Sequence, residues 1–229
     1  MVQRIDLHTH TLLSDGALLP SEHLRRFAVH DHAVVAMTDH ADASNIEDII
    51  ARLQALLRAQ PKDWPLIPLI GVELTHVAPR SIDALAHRAK ALGADIVLVH
   101  GETIVEPVAE GTNRAAVVSP AVDLLAHPGL LAFEDARRAA SRGCYVELTT
   151  RKGHSLTNGH VAATCLATGA PMVVNTDTHA PRDIATMSFA RSVALGAGLT
   201  ESQARAALEQ NPRQLVERIL ATRQDIEPV

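Results

Sequence analysis

Short apolar runs alternate with segments of helical periodicity along most of the chain. Seven runs rich in valine, isoleucine and leucine have the near-continuous apolar content of strands that are buried on both faces of a parallel sheet. The predicted strands are residues 3–8, 33–38, 66–74, 95–100, 122–127, 144–149 and 171–177.

Amphipathic segments fill the intervals between these runs. The predicted helices are residues 20–30, 44–57, 82–92, 134–142, 159–168, 183–195 and 200–221, the last with a break at Asn211-Pro212. Capping-box patterns begin two of them, at Ser44 and at Thr200, and glycines follow several helix ends. The segment between the fourth strand and the fifth is expected to be a long loop.

This alternation predicts an α/β fold built from seven β/α units of roughly 33 residues each, about the smallest size for a βαβ repeat. A closed or nearly closed TIM-like barrel fits best, and an open doubly wound sheet is the alternative. The composition does not change along the chain and no linker interrupts it, so residues 1–229 are expected to form one domain.

Composition narrows the function classes. The net charge is −5 and only 2% of residues are aromatic, which disfavours extended nucleic-acid binding. No apolar run reaches the ~18 residues of a membrane span, and no apolar leader follows Met1, so we expect a cytoplasmic protein with no membrane partner. Cys144 and Cys165 are expected to be buried free thiols.

Thirteen of the residues are histidine, and many of these follow the predicted strands. The carboxyl ends of barrel strands meet at one mouth, where active sites form. Histidine or a carboxylate stands at six of the seven strand ends. These residues are His8 and His10, His40, Glu73, His100, His127, and Asp177 with His179.

Imidazole and carboxylate groups together suit Zn²⁺, Mn²⁺ or Fe²⁺. Alternate residues such as His8 and His10 leave a strand on one side, so both imidazoles can bind one ion. Glu73 can bridge two ions. Two ions about 3.5–4 Å apart generate hydroxide near neutral pH and hold a phosphoryl group for in-line displacement. The pattern therefore predicts a metal-dependent phosphoesterase.

The motifs also resemble a known family. The run Asp6-Leu-His8-Thr-His10-Thr-Leu-Leu-Ser14-Asp15-Gly16 is similar to the first motif of the polymerase and histidinol phosphatase (PHP) domain. Later motifs follow in the family's order, from residue 38 to about residue 181. They are Thr38-Asp39-His40, Gly71-Val-Glu73, His100, Ala126-His127-Pro128 and Asn175-Thr-Asp177-Thr-His179.

The resemblance implies a distorted seven-stranded (β/α)7 barrel that holds two to three divalent ions, with a metal-bridging hydroxide as the nucleophile. It implies His8, His10, Glu73 and Asp177 on one ion, Glu73, His100 and His127 on a second, and Asp15, His40 and His179 on a third. Several family members have histidine near the position of Asp15, where this chain has Ser-Asp-Gly. This departure implies a third ion that is bound more weakly or exchanges more readily.

Other polar residues lie close to these strand ends. Arg151 and His154 follow the sixth strand, and Arg182 follows His179, so these three are predicted to contact the phosphate. Asp6 and Glu147 are candidates to orient ligand imidazoles. Four further histidines on helical patterns are expected to be packing or surface residues; they are His23, His30, His32 and His87.

Four functions remain open from the sequence. A phosphomonoesterase resembling histidinol-phosphate phosphatase, acting on a small phosphorylated substrate, leads. A phosphodiesterase or 5′-end nuclease is second. An amidohydrolase-type C–N hydrolase is third, although such barrels usually place a lysine on strand four, where this chain has His100. A non-catalytic metal-binding module is fourth, and the complete ligand set argues against it. The oligomeric state is not specified by these features.

Overall fold

A computed structural model describes residues 3–59 and 64–223. The seven predicted strands all form, and they lie side by side in chain order in one parallel sheet. Their bounds are β1 Arg4–Asp6, β2 His32–Met37, β3 Ile67–Leu74, β4 Ile96–His100, β5 Leu124–Ala126, β6 Tyr145–Thr149 and β7 Met172–Asn175. A two-residue extension of β2, His40–Ala41, also pairs with β3. The predicted α/β class is confirmed.

The first and last strands approach each other beyond their ends. Thr9 and Thr178 form a parallel bridge. The amide of His10 donates to the carbonyl of Thr178 at 2.8 Å, and the amide of Asp177 donates to the carbonyl of His8 at 3.0 Å. The sheet therefore curls into a nearly closed barrel, and the alternative of an open doubly wound sheet is wrong.

Helices pack around this barrel. Their bounds are α1 Pro20–Val29, α2 Ile46–Ala59, α3 Ile82–Ala91, α4 Thr112–Val118, α5 Phe133–Arg142, α6 Asn158–Thr168, α7 Met187–Gly196, α8 Glu201–Arg205 and α9 Asn211–Thr222. The capping box at Thr200 is confirmed, because its hydroxyl accepts from the amide of Gln203 and the Gln203 side chain accepts from the Thr200 amide. Among the described residues, no helix is long and apolar enough to span a bilayer.

The structure corrects three details of the sequence prediction. The segment between β4 and β5 contains a helix, α4, where a loop was expected. The helix predicted from residue 183 begins at Met187, where the Thr186 hydroxyl caps it. No break occurs at Pro212, since a π-helical turn, Ala206–Gln210, joins α8 to α9 and the proline fits in the first turn of α9.

The barrel interior changes from apolar to polar along the strands. Leu69, Leu98, Tyr145 and Val173 belong to an interior cluster that also includes Leu215 of α9. Residues further along the same strand faces, such as Glu73, His100, Glu147 and Asn175, are buried and polar. Since side chains of alternate residues share a face, each strand carries packing residues below and polar groups above. The apolar half stabilises the barrel, and the polar half builds one mouth.

The second apolar layer lies between the barrel and its helices. Strand residues such as Val35, Ile70, Val97 and Val146 pack there against helix residues that share the same buried cluster. Cys144 and Cys165 also belong to this layer, and both are buried free thiols as predicted. This layer fixes the strand ends from outside, so the polar groups of the mouth stand on rigid elements.

Candidate metal centre

All nine predicted metal ligands lie at the carboxyl-terminal mouth of the barrel. The strand register supports this arrangement, because His40 pairs with Glu73 and His100 pairs with Ala126 in neighbouring strands. The loops that follow β1 and β7 add Asp15 and His179. Side chains from across the barrel therefore converge on one place.

The inner group consists of His8, His10, Glu73 and Asp177, all buried. The His10 Nε2 atom lies 3.1 Å from the Asp177 carboxylate and 3.6 Å from Glu73. The His8 Nε2 atom lies 3.4 Å from Glu73 and 3.6 Å from Asp177. Ligand atoms around a tetrahedral ion with bonds of 2.0–2.1 Å are about 3.4 Å apart. The four side chains thus have the spacing of a metal site.

Glu73 is the shared carboxylate of the mouth. Its Oε1 atom lies 3.4 Å from His8 and 3.5 Å from His127, while its Oε2 atom lies 2.9 Å from His40 and 3.6 Å from His10. The two oxygens therefore face different groups of imidazoles. This is the geometry that a carboxylate needs to bridge two ions.

An outer group joins Asp15, His40 and His179. The Asp15 carboxylate lies 3.5 Å from His40 and 3.2 Å from His179. Asp15 is the most exposed predicted ligand, at 57%, so this group opens to solvent. His10 also lies within reach of the same group. An ion held here would be more accessible to solvent than one in the inner group.

Polar contacts behind the ligands fix their orientation. Glu147 accepts a hydrogen bond from His8 Nδ1 at 2.8 Å, and Asn175 donates to the same Glu147 oxygen at 3.0 Å. The Asp177 carbonyl lies 3.0 Å from His179 Nδ1. Such partners set which imidazole nitrogen faces an ion. Asp6 instead accepts from the backbone amides of His8 and Thr176, so it holds the chain rather than a ring.

Asp39 has a role that the sequence did not suggest. Its buried carboxylate accepts from the Thr11 amide and hydroxyl at 2.7 and 2.9 Å and from the Ser14 hydroxyl at 2.8 Å. Burial raises the pKa of Asp39, although these donors oppose the shift. The residue ties the loop that carries Asp15 to the end of β2.

Several buried polar atoms of the mouth have no hydrogen-bond partner. Among the described residues these include Glu73 Oε1, Asp177 Oδ1, His10 Nδ1 and His127 Nδ1. An unpartnered buried carboxylate oxygen is costly unless another charge binds it. Two of the orphaned atoms are carboxylate oxygens that face imidazole nitrogens at ligand spacing. The residues therefore fit divalent ions.

Backbone strain marks the same region. His76, His127 and Asp177 have φ values of 52°, 25° and 53°, in the left-handed region that non-glycine residues rarely adopt. All three side chains lie at the mouth. Strained backbone of this kind clusters at functional sites, where the surrounding structure holds it in place.

The acid–base properties of the centre depend on its carboxylates. Burial opposes protonation of His8, yet Glu147, Glu73 and Asp177 outweigh it and hold the pKa of His8 well above its usual value. Burial lowers the pKa of His10 to about 3. Burial also opposes ionisation of Glu73, but the nearby imidazoles hold its pKa well below the usual range. The raised pKa favours the protonated form of the His8 imidazole in the metal-free protein.

This protonation predicts pH-dependent metal binding. A ligand imidazole must be neutral, so an ion that enters has to displace the His8 proton. We expect the affinity for Mn²⁺ or Zn²⁺ to fall as the pH is lowered from about 8 to about 6, with proton release on binding. Calorimetric titration in buffers of different ionisation enthalpy measures both quantities. Affinity that is constant over this range would contradict the prediction.

The three predicted substrate contacts have different surroundings. Arg151 borders the centre, with Nε 3.8 Å from the Asp177 carboxylate and one terminal nitrogen 3.3 Å from Asp183. Arg182 is 88% exposed. Both line a cleft of about 420 Å³ together with Thr150, Lys152, Thr176, Asp183 and Phe189. His154 lies elsewhere, buried against the ring of His127 at a centroid distance of 4.3 Å.

Two further observations concern residues that the sequence did not place in the site. Glu106, from the loop after β4, contacts His76, His100 and His154. Asn158, the first residue of α6, bonds both the amide and the carbonyl of Thr149 at the end of β6. No sequence pattern distinguishes Glu106 from the other acidic residues of its loop.

Helical and surface histidines behave largely as predicted. His23 is buried, its Nε2 atom lies 2.8 Å from the Thr9 hydroxyl, and burial lowers its pKa to about 3. His32 was expected on a helical pattern but is the first residue of β2, where it packs near Phe27 with ring centroids 4.7 Å apart. His87 is exposed on α3. These three rings stay outside the groups of the mouth described above.

The barrel and its mouth define a metal-dependent hydrolase. Residues 6–113 match the PHP domain. The uncharacterized protein MJ1295 of Methanocaldococcus jannaschii is 47% identical over 217 residues, which is 94% of this chain and 100% of that protein. The chain belongs to the PHP family.

Solved structures with similar folds are more distant in sequence. Histidinol phosphate phosphatase of Lactococcus lactis, complexed with zinc, L-histidinol and phosphate, aligns with a TM-score of 0.61 at 17% identity, over 87% of this chain and 95% of that one. A chain of archaeal ribonuclease P with mature tRNA aligns with a TM-score of 0.65 at 16% identity, over 94% and 90%. Guanine deaminase of C. acetobutylicum aligns with a TM-score of 0.58 at 12% identity, over 93% and 72%. These likenesses concern the fold.

Proposed function

We propose that the protein is a metal-dependent phosphomonoesterase that acts on a small phosphorylated substrate. The observation that carries the proposal is the set of carboxylates and imidazoles at ligand spacing around Glu73, together with Arg151, whose Nε atom lies 3.8 Å from the Asp177 carboxylate. The Lactococcus lactis enzyme of similar fold, whose complex holds zinc, L-histidinol and phosphate, supports this choice.

The nine residues at the mouth would act as ligands of up to three ions. His8, His10, Glu73 and Asp177 would hold one ion, Glu73, His100 and His127 a second, and Asp15, His40 and His179 a third. Two to three divalent ions of zinc, manganese or iron fit these donors. Bound ions supply Lewis-acid stabilisation of charge on phosphate oxygens and lower the pKa of nearby water.

The remaining residues position groups around that chemistry. Glu147 holds His8 so that its Nε2 atom faces Glu73 and Asp177. Arg151 lies at the border between the centre and the cleft, so its guanidinium can bind phosphate oxygens that the ions leave free. Lys152, Arg182 and the exposed ring of Phe189 line the cleft, which would take the rest of the substrate.

The competing classes differ in what the site must provide. Amidohydrolase-type enzymes usually have a metal-bridging lysine on strand four. This chain has no lysine there, because β4 ends in His100. Of the described lysines, Lys90 on α3 binds the Asp95 carbonyl and the Asp123 carboxylate, and Lys152 lies in the loop after β6 and not on β4. A diester has less charge than a monoester and gains less from Arg151. These points favour a monoester.

Replacing Arg151 with alanine tests this assignment. A guanidinium that binds a phosphate oxygen equally in the ground state and the transition state affects KM rather than kcat. We expect Arg151→Ala to raise KM for p-nitrophenyl phosphate by roughly 10- to 150-fold, which corresponds to the loss of one charged hydrogen bond of about 1.5–3 kcal/mol, with a smaller change in kcat. Arg191→Ala, which removes an exposed arginine of α7, is the control.

A panel of substrates on metal-defined protein tests the reaction class. We expect p-nitrophenyl phosphate to be hydrolysed faster than bis-p-nitrophenyl phosphate and faster than amide analogues. A preference for the diester would favour the phosphodiesterase. Hydrolysis of amides alone would favour the amidohydrolase-type reaction.

A further inference from the structure

Two residues at the mouth, Glu106 and His154, lie outside the family's nine-ligand pattern. The Glu106 Oε2 atom lies 3.2 Å from His100 Nε2 and 3.2 Å from His76 Nε2. Its Oε1 atom lies 3.4 Å from His154 Nε2. One carboxylate therefore faces three imidazole nitrogens, from the end of β4, from the loop after β3 and from the turn after β6.

The orientation of His154 is fixed from behind. Its Nδ1 atom lies 2.8 Å from the hydroxyl of the buried residue Thr103. Its ring stacks on His127 at an angle of 18°, and the Nε2 atom lies 3.9 Å from the Asp177 carboxylate. A ring with one nitrogen held by a polar partner and the other aimed at carboxylates has the arrangement of a metal-binding histidine.

The spacing suits a single ion among these groups. One ligand atom each from His100, His127 and His154 lies within 4.8 Å of the other two, and all three side chains are buried. Glu106 borders this cluster, with its Oε2 atom 3.2 Å from His100 and its Oε1 atom 3.4 Å from His154, so either oxygen lies at ligand spacing from one of the imidazoles. Together with Glu73, whose Oε1 atom lies 3.5 Å from His127, these residues offer three imidazoles and two carboxylates, a donor set for zinc, manganese or iron.

We propose that His154 and Glu106 are additional ligands of the second ion, beside His100 and His127. This inference rests on the metal centre of the proposed function and extends it. Thr103 positions His154, and His76 positions Glu106. Thr103 and Glu106 belong to the same loop, between β4 and α4, so that loop contributes both a ligand and an orienting group.

The placement of His76 agrees with this role. Its backbone adopts a φ of 52°, as the backbone of Asp177 does at 53°. From there its Nε2 atom contacts the same Glu106 oxygen that contacts His100. With His154 and Glu106 added, the second ion would have more protein ligands than the outer ion at Asp15, so the protein would retain the second ion more tightly.

Metal binding to the full-length protein tests the proposal without relying on activity. Metal-free wild type, His154→Ala and Glu106→Gln are titrated with Zn²⁺ or Mn²⁺ alone by calorimetry, and bound metal is counted by elemental analysis after gel filtration. We expect each variant to bind one class of ion at least about tenfold more weakly than wild type, while the inner ion keeps its affinity. Two variants are the matched controls: Glu110→Gln, in the same loop as Glu106, and His160→Ala, in α6 shortly after His154. Both should bind metal as wild type does.

Thr103→Val separates an orienting role from a merely structural one. The substitution keeps the shape and removes the hydroxyl that holds His154. It should weaken the same ion when His154 is present and have no further effect in the His154→Ala background. Circular dichroism and thermal melting check that each variant folds.

The outcomes distinguish this inference from the proposed function. If His154→Ala and Glu106→Gln bind every ion as wild type does, while His127→Ala loses one, the inference is overturned and the metal centre stands. If the controls lose metal equally, the inference is also overturned. If wild type binds no divalent ion, the proposed function itself fails.

Discussion

Replacing Asp177 with asparagine is expected to lower monoester hydrolysis by about 1000-fold, because losing an ion removes several kcal/mol of charge stabilisation at about 1.4 kcal/mol per tenfold. The Asp177 carboxylate lies within 3.1–3.8 Å of His10, His8 and His127, so its charge is central to the inner group. Asparagine tolerates the left-handed backbone at this position, so the fold should survive.

A matched control is available in the same chain. Asp31 also has a left-handed backbone, with φ of 56°, in the turn before β2. Asp31→Asn makes the same chemical change away from the mouth and should leave turnover and metal content unchanged. Measuring kcat/KM and bound metal for both variants tests whether Asp177 holds a metal ion that hydrolysis requires. Near-wild-type turnover of Asp177→Asn at full metal content would place the chemistry elsewhere.

Removing the metals should also lower thermal stability. Glu73 and Asp177 are buried, and each has a carboxylate oxygen without a hydrogen-bond partner. An ion present at 100 times its dissociation constant adds about 2.7 kcal/mol, which is worth roughly 5–10 °C of Tm in a chain of this size. We therefore expect a chelator to lower the Tm by roughly that amount, and added Zn²⁺ or Mn²⁺ to restore it.

Differential scanning calorimetry with and without chelator measures this shift. In Asp177→Asn the shift should be smaller, because fewer ions are held. A wild-type Tm that responds neither to the chelator nor to added Zn²⁺ or Mn²⁺ would show that the buried carboxylates are stabilised by the imidazoles alone.

The strands could be predicted from sequence because burial on both faces gives them continuous apolar runs. The helix Thr112–Val118 could not, since seven residues are too few to show a helical period. Pro212 indicated a break, yet the preceding π-helical turn accommodates it in the first turn of α9. Local signals therefore located the barrel, whereas short connecting helices depend on tertiary packing.

Some residues of the candidate site could likewise be predicted from the sequence, and others could not. Residues at strand ends, such as His8, Glu73 and His100, could be placed together because a parallel barrel brings all strand ends to one mouth. Glu106 could not be found in this way, since it lies in a loop whose path is set by contacts made in three dimensions. His154 was predicted to contact phosphate, and its burial beside His127 with a held Nδ1 atom became evident only in the structure.

Reconstitution of metal-free protein tests the central proposal most directly. The protein, stripped of metal, is titrated with Mn²⁺, Zn²⁺ or Fe²⁺, and hydrolysis of p-nitrophenyl phosphate is followed together with the number of ions bound per chain. The proposal predicts negligible turnover without metal and turnover that rises in step with occupancy of two to three sites. Metal-free protein that hydrolyses the ester as fast as loaded protein would contradict it, as would fully loaded protein that hydrolyses no phosphate ester.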